Sequence, residues 1–156
     1  MKKLLCAGLL AALGIIGCYR CAFAFYVPAA PALRGIGGAN VQTIDTDFRS
    51  LEQAALLFSS ENPEEAIYLT DGVNHVALLA QYTDNPSRFA DISHYGFIVD
   101  SRGWWIGIAV TGSDSTREYV TQAARTHGWL GSSDISVPPG DAVFGGRDSV
   151  VWKFVK

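Results

Sequence analysis

The sequence predicts an α+β fold: a single small domain with a mainly antiparallel sheet built from hairpins and two or three helices packed on it. Three observations carry this. Residues 94–99 and 104–111 alternate bulky apolar with small or polar residues across a turn at 100–103, which is the pattern of a half-buried hairpin. Residues 116–127 place Val120, Ala123, Ala124 and His127 at helical spacing before Gly128. Clusters of Gly, Pro, Asn, Asp and Ser punctuate the rest of the chain.

The first 24 residues read as a secretory signal peptide: basic Lys2 and Lys3, an uncharged apolar run from Leu4, and Ala22-Phe23-Ala24 as the cleavage site. Two alternatives are an uncleaved anchor through residues 4–19 and lipidation of Cys18. Cleavage after Ala24 removes Cys6, Cys18 and Cys21, so the mature domain has no disulfide framework, thiolate metal site or cysteine nucleophile. It also removes Lys2, Lys3 and Arg20 from the twelve Lys and Arg. Nine then stand against fifteen Asp and Glu, a net charge of −6. The remaining basic residues are scattered, which argues against nucleic acid and against adsorption to an anionic membrane. The membrane enters only if the N-terminal segment is retained or Cys18 is lipidated.

Residues 25–42 hold Pro28, Pro31 and Gly35-Ile36-Gly37-Gly38 and read as a flexible linker. The glycines follow no strand and precede no Lys-Ser/Thr, so the phosphate-loop and dinucleotide readings fail. The domain then spans 43–156. Asp45 or Asp47 is the expected cap of a helix to Phe58, with Leu51, Ala54, Ala55 and Phe58 on its apolar face. Asn62-Pro63-Glu64-Glu65 is a second helix start. Residues 66–82 read as two strands around an Asp71-Gly72 turn, with a helix through Ala66, Leu69, Val73, Val76 and Ala80 as the alternative. A turn at 84–87 and a short helical turn at 89–92 follow. Arg102-Gly103 is the expected hairpin loop, which would pair Val99 with Ile106 and Phe97 with Ile108. Ser115 and Glu118 suggest a capping box for the next helix. Residues 142–144 and 149–155 read as a last hairpin.

On that hairpin, Tyr95, Phe97, Val99, Trp104, Ile106 and Ile108 form a core face. His94, Gly96, Ile98, Asp100, Trp105, Gly107, Ala109 and Thr111 share the other, where Gly96, Gly107 and Ala109 make a shallow floor. The 116–127 helix is expected to pack on that floor. The alternative is a ligand groove with Trp105 as a wall and His94, Asp100 and Thr111 as polar edges.

His75, His94 and His127 show no zinc spacing, no nucleophile elbow is present, and no cofactor motif occurs. The expected function is therefore an exported, non-catalytic binding or assembly module, with another envelope protein or a cell-wall component as partner. The alternative is a small envelope hydrolase using His94 with a nearby carboxylate beside Trp105.

Overall fold

The computed structural model describes residues 36–69 and 72–156. The expected leader, Cys18 and the spacer up to Gly35 lie outside these residues. Five helices and four strands follow in order: α1 (Ile36–Glu61), α2 (Pro63–Ile67), α3 (Val76–Ala80), α4 (Pro86–Phe89), β1 (Tyr95–Asp100), β2 (Gly103–Ala109), α5 (Asp114–His127), β3 (Leu130–Ser132) and β4 (Val150–Phe154). The strands form one antiparallel sheet in the order β1-β2-β4-β3. This is the single small α+β domain that the periodicity predicts.

α1 is longer than expected and begins inside the stretch read as a linker. Its apolar stripe starts earlier, because Ile44 is buried and Val41 packs against the core ahead of Phe48, Leu51, Ala55 and Phe58. The packing of Val41 and Ile44 works against the helix cost of Gly37 and Gly38, about 1 kcal/mol each. Asp47 is thus not a helix cap. It lies within the helix and is itself buried.

The described residues of the hairpin expected at 66–82 do not pair with one another. α2 ends at Ile67, and Val76, Leu79 and Ala80 turn inward from α3 at i, i+3, i+4 spacing. Residues 72–75 instead run along the open edge of β1: the Gly72 N–H donates to Val99 O at 3.2 Å and the His75 N–H to Phe97 O at 2.7 Å. The Asn74 carboxamide completes the edge, donating to Tyr95 O at 3.0 Å and accepting from the Phe97 N–H at 3.0 Å. A strand edge without such a cover is a template for association. Asn62 stands at the N-cap position of α2, but its side chain donates to Tyr82 Oη at 2.8 Å rather than capping.

The β1–β2 register differs from expectation by two residues: Val99 faces Trp104, Phe97 faces Ile106 and Tyr95 faces Ile108. The loop is Ser101-Arg102, closed by Asp100 Oδ1, which accepts from the backbone N–H groups of Arg102 at 2.8 Å and Gly103 at 3.2 Å. Gly103 has φ +137° and lies so close to Lys156 O that a Cβ would clash, which holds it at the strand start. A slip of two keeps every side chain on its expected face, since the pleat repeats every two residues.

α5 begins at Asp114, so Ser115 is inside the helix and the capping box does not form; Ser113 at the N-cap position bonds Ser115 Oγ instead. Gly128, at φ +68°, closes it as expected. The last hairpin pairs β4 with β3 rather than with 142–144, of which Val143 makes an isolated bridge to Leu130.

α1 and α5 pack together on the face formed by Tyr95, Phe97, Trp104, Ile106, Ile108 and Val151. Among the described residues, no helix lies on the other face. The Trp152 indole lies across Gly107, with Ile135 beside it over Gly96. Trp152 is fully buried, and its Nε1–H donates to Ser132 Oγ at 2.8 Å. The floor of small residues therefore receives neither α5 nor a ligand groove: a side chain from the neighbouring strand fills it. A Cβ at Gly107 would stand 2.7 Å from the Trp152 ring. We expect Gly107→Ala to lower unfolding stability by about 1–3 kcal/mol, the usual cost of overpacking a filled core, read as a fall in the urea midpoint at unchanged slope.

Candidate functional site

Asp47 follows Ile44 by three residues and precedes Leu51 by four, so it shares their inward-facing stripe on α1. A carboxylate in that position needs partners. Arg88 Nη2 donates to its Oδ2 at 2.8 Å, and the Tyr95 hydroxyl donates to the same oxygen at 2.9 Å. Arg88 Nε in turn donates to Tyr95 Oη at 3.2 Å, which closes a ring of three side chains. Local chain chemistry sets each in place. Asn85 caps α4 by accepting from the Arg88 backbone N–H at 3.2 Å, and Pro86 starts the helix. Tyr95 is the first residue of β1 and points to the core face, with Phe89 edge-on to it at 5.1 Å.

The ring perturbs its members. Burial pushes the Tyr95 phenol up; the Asp47 carboxylate pushes the same way, and the Arg88 hydrogen bond opposes. The Arg88 guanidinium is held above its ordinary value by its hydrogen bond to Tyr95, with Asp47 reinforcing and burial opposing. Asp47 is sealed, whereas the Arg88 side chain remains 42% exposed.

Two openings adjoin the ring and share Asp47 and Arg88. One, of about 80 Å³, reaches His94, Ala109 and Thr111; the other, of about 300 Å³, runs along Gln42, Thr43 and Thr46 on α1. They make a groove of mixed polar and apolar lining where α1, α4 and the ends of β1 and β2 meet.

Of the four residues singled out from sequence, His94 and Thr111 line this groove. Asp100 lies at the far end of the hairpin, six residues along from His94, or roughly 20 Å at the rise of an extended strand, and Trp105, level with Ile98, lies four residues along, or roughly 13 Å. Those two bind each other: Trp105 Nε1–H donates to Asp100 Oδ1 at 3.0 Å, and the Arg102 guanidinium lies 4.8 Å above the Trp105 ring. Trp105 is buried. Arg102 also donates to Pro139 O at 2.7 Å and so ties the turn to the loop that carries Ile135. Burial alone would raise the Asp100 carboxyl, but hydrogen bonds from Arg102 and Trp105 outweigh it and hold the carboxyl below its ordinary value.

The sequence reading passed over Asp47, Arg88 and the Tyr95 hydroxyl. The available signal was an acid inside an apolar helical stripe, which requires a buried partner. His94 stands edge-on to Tyr95 at 4.6 Å, and its charge helps lower Asp91, behind the larger effect of the Ser93 hydrogen bonds. His127 stacks on Trp129 at 4.8 Å, and His75 leads into α3. Among the described residues, no group of three or more His, Cys, Asp or Glu is placed to hold a metal ion, and no helix is long and apolar enough to cross a membrane. Comparison with protein-family models, curated proteins and solved structures finds no match.

Chemically, the groove offers a fixed guanidinium flanked by an imidazole, hydroxyls and an amide. Asp47 Oδ2 accepts hydrogen bonds from both Arg88 and Tyr95, so this carboxylate positions Arg88.

Removing the Tyr95 hydroxyl deletes a hydrogen bond to a buried charge. Tyr95→Phe is expected to cost about 2 kcal/mol in denaturant unfolding; a loss near zero would mean the ring contributes nothing to the fold. Asp100 generates a pH dependence. Its folded-state carboxyl lies below the ordinary 3.8, so its contribution is present above that value and disappears as pH falls through the lowered one. Asp100→Asn should therefore be less stable than the natural protein near neutral pH, with the gap narrowing below about pH 4. A gap unchanged in acid would assign the loss to packing instead.

Proposed function

We propose that this protein is an exported, non-catalytic binding or assembly module of the cell envelope, acting through contacts with another envelope protein or a cell-wall polymer. The observation that supports this reading is the groove at the Asp47–Arg88–Tyr95 ring. There, a partly exposed cation is fixed by buried partners, and His94 and Thr111 supply further hydrogen-bonding groups. Prealigned polar groups on rigid elements favour recognition, because little side-chain freedom remains to be lost on binding.

The hydrolase reading draws less support. It needs His94 beside an available carboxylate, and the carboxylate in the groove is committed to Arg88 and Tyr95. Trp105 and Asp100 are engaged with each other far from His94.

The test joins localisation to capture. The protein recovered from expressing cells should appear in the envelope fraction with an intact mass starting at Phe25. A photo-crosslinking residue at position 111 should capture the same envelope component in replicate cultures. Recovery only inside the cell would sink the export reading. Turnover of ester or glycoside substrates by the natural protein, lost in His94→Ala, would replace it with the hydrolase.

A further inference from the structure

We propose that Arg88 is the anchor of a carboxylate-binding site, and that the group it takes is the free carboxylate of a small acid or of a peptide C-terminus. The inference rests on the groove being the functional surface, and it adds the ligand class.

A guanidinium has two edges that present paired N–H donors: Nε with Nη2, and Nη1 with Nη2. In this protein the first edge is used internally, since Nε donates to Tyr95 Oη and Nη2 to Asp47 Oδ2. The second edge remains. Nη1 makes no hydrogen bond to any described residue, and the side chain is 42% exposed where it lines both openings. A planar pair of donors at fixed spacing matches the two oxygens of a carboxylate, which it binds through two parallel hydrogen bonds. The ring prevents the long side chain from swinging away, so the fork is oriented before a ligand arrives.

The surroundings fit the same ligand. Buried Asp47 balances the charge of Arg88, so attraction comes from the paired hydrogen bonds rather than from a broad positive field. Such a site discriminates by shape and donor geometry. The openings are flanked by Gln42 and Thr111, neutral groups that suit the amides of a short peptide beyond its terminal carboxylate. The 300 Å³ opening has room for a ligand of that size.

The experiment titrates the full-length protein recovered from cells with trialanine, with trialanine amide and with propionate, following side-chain N–H signals by NMR. We expect saturable binding of trialanine, movement of the Arg88 guanidinium signals, and binding of the amide weakened by about tenfold or more. Propionate binding as well as trialanine identifies a small acid as sufficient. Weaker propionate binding identifies the peptide terminus. Either result supports the carboxylate site. Arg88→Lys, which keeps a cation for Asp47 but removes the fork, should lose about tenfold in trialanine affinity, with its folding checked by thermal unfolding. The Arg88 signals of the natural protein give the answer even if that variant fails to fold. The proposal is overturned if trialanine and its amide bind equally, if trialanine does not bind, if other signals move while those of Arg88 do not, or if folded Arg88→Lys binds as well as the natural protein. An envelope component captured at position 111 without trialanine binding would leave the module reading standing and remove the carboxylate assignment. Trialanine binding at Arg88 without capture would do the reverse.

Discussion

The inner stripe of α1 lies against the inner face of the β1–β2 hairpin, and the rest of the domain is arranged around that contact. Phe48, Leu51 and Phe58 on one side and Phe97, Ile106 and Ile108 on the other are almost wholly removed from water. Burial of each such side chain contributes about 1.5–3 kcal/mol, so this layer dominates the favourable side of folding. It also creates the polar ring. Asp47 is carried inward because it shares the stripe, and Tyr95 is carried inward because it shares the alternation of Phe97. Their meeting under an apolar layer demands a cation, which Arg88 brings from α4.

The second face of the sheet is solved differently. With α1 and α5 both on the inner face, the outer one is covered from within the sheet and by a loop. Trp152 reaches across Gly107, and that approach is open only because no Cβ stands there. Ile135 arrives on the loop between β3 and β4, which Arg102 grips through Pro139 O. The C-terminal residues extend the β2–β4 pairing and tie β4 to α1: Lys156 O accepts from the Trp104 N–H at 2.8 Å, and Lys153 pairs with Glu52 of α1 at 2.6 Å. That pair is about one-third exposed, so its worth is small beside the packing it accompanies.

These two solutions divide the molecule into a sealed end and an open one. At the turn end of the hairpin, Asp100, Arg102 and Trp105 satisfy one another. At the opposite end, β1 and β2 meet α1 and α4 at the ring, and donors on Arg88 face the groove without a partner among the described residues. A recognition site on such a base inherits its rigidity, because the groups that orient Arg88 are themselves held by the main core.

Much of the fold was legible in the sequence. The α+β class, the two faces of the hairpin and the termination of α5 at Gly128 follow from side-chain period and glycine chemistry, which act over a few neighbouring residues. The start of α1, the helix at 76–80 and the β3–β4 pairing did not follow from it. Each depends on what a segment meets across the molecule: Ile44 gains a core, residues 72–75 gain the edge of β1, and β4, already paired with β2, takes residues 130–132 rather than 142–144 on its other side. The site divides the same way. His94 and Thr111 were visible as outward-facing positions at one end of a hairpin, a property of strand alternation. That Asp47, Arg88 and Tyr95 join them was decided by tertiary structure alone. A buried charge specifies that it must have a partner, but only the packing of helix on sheet determines which residue stands within 3 Å of it.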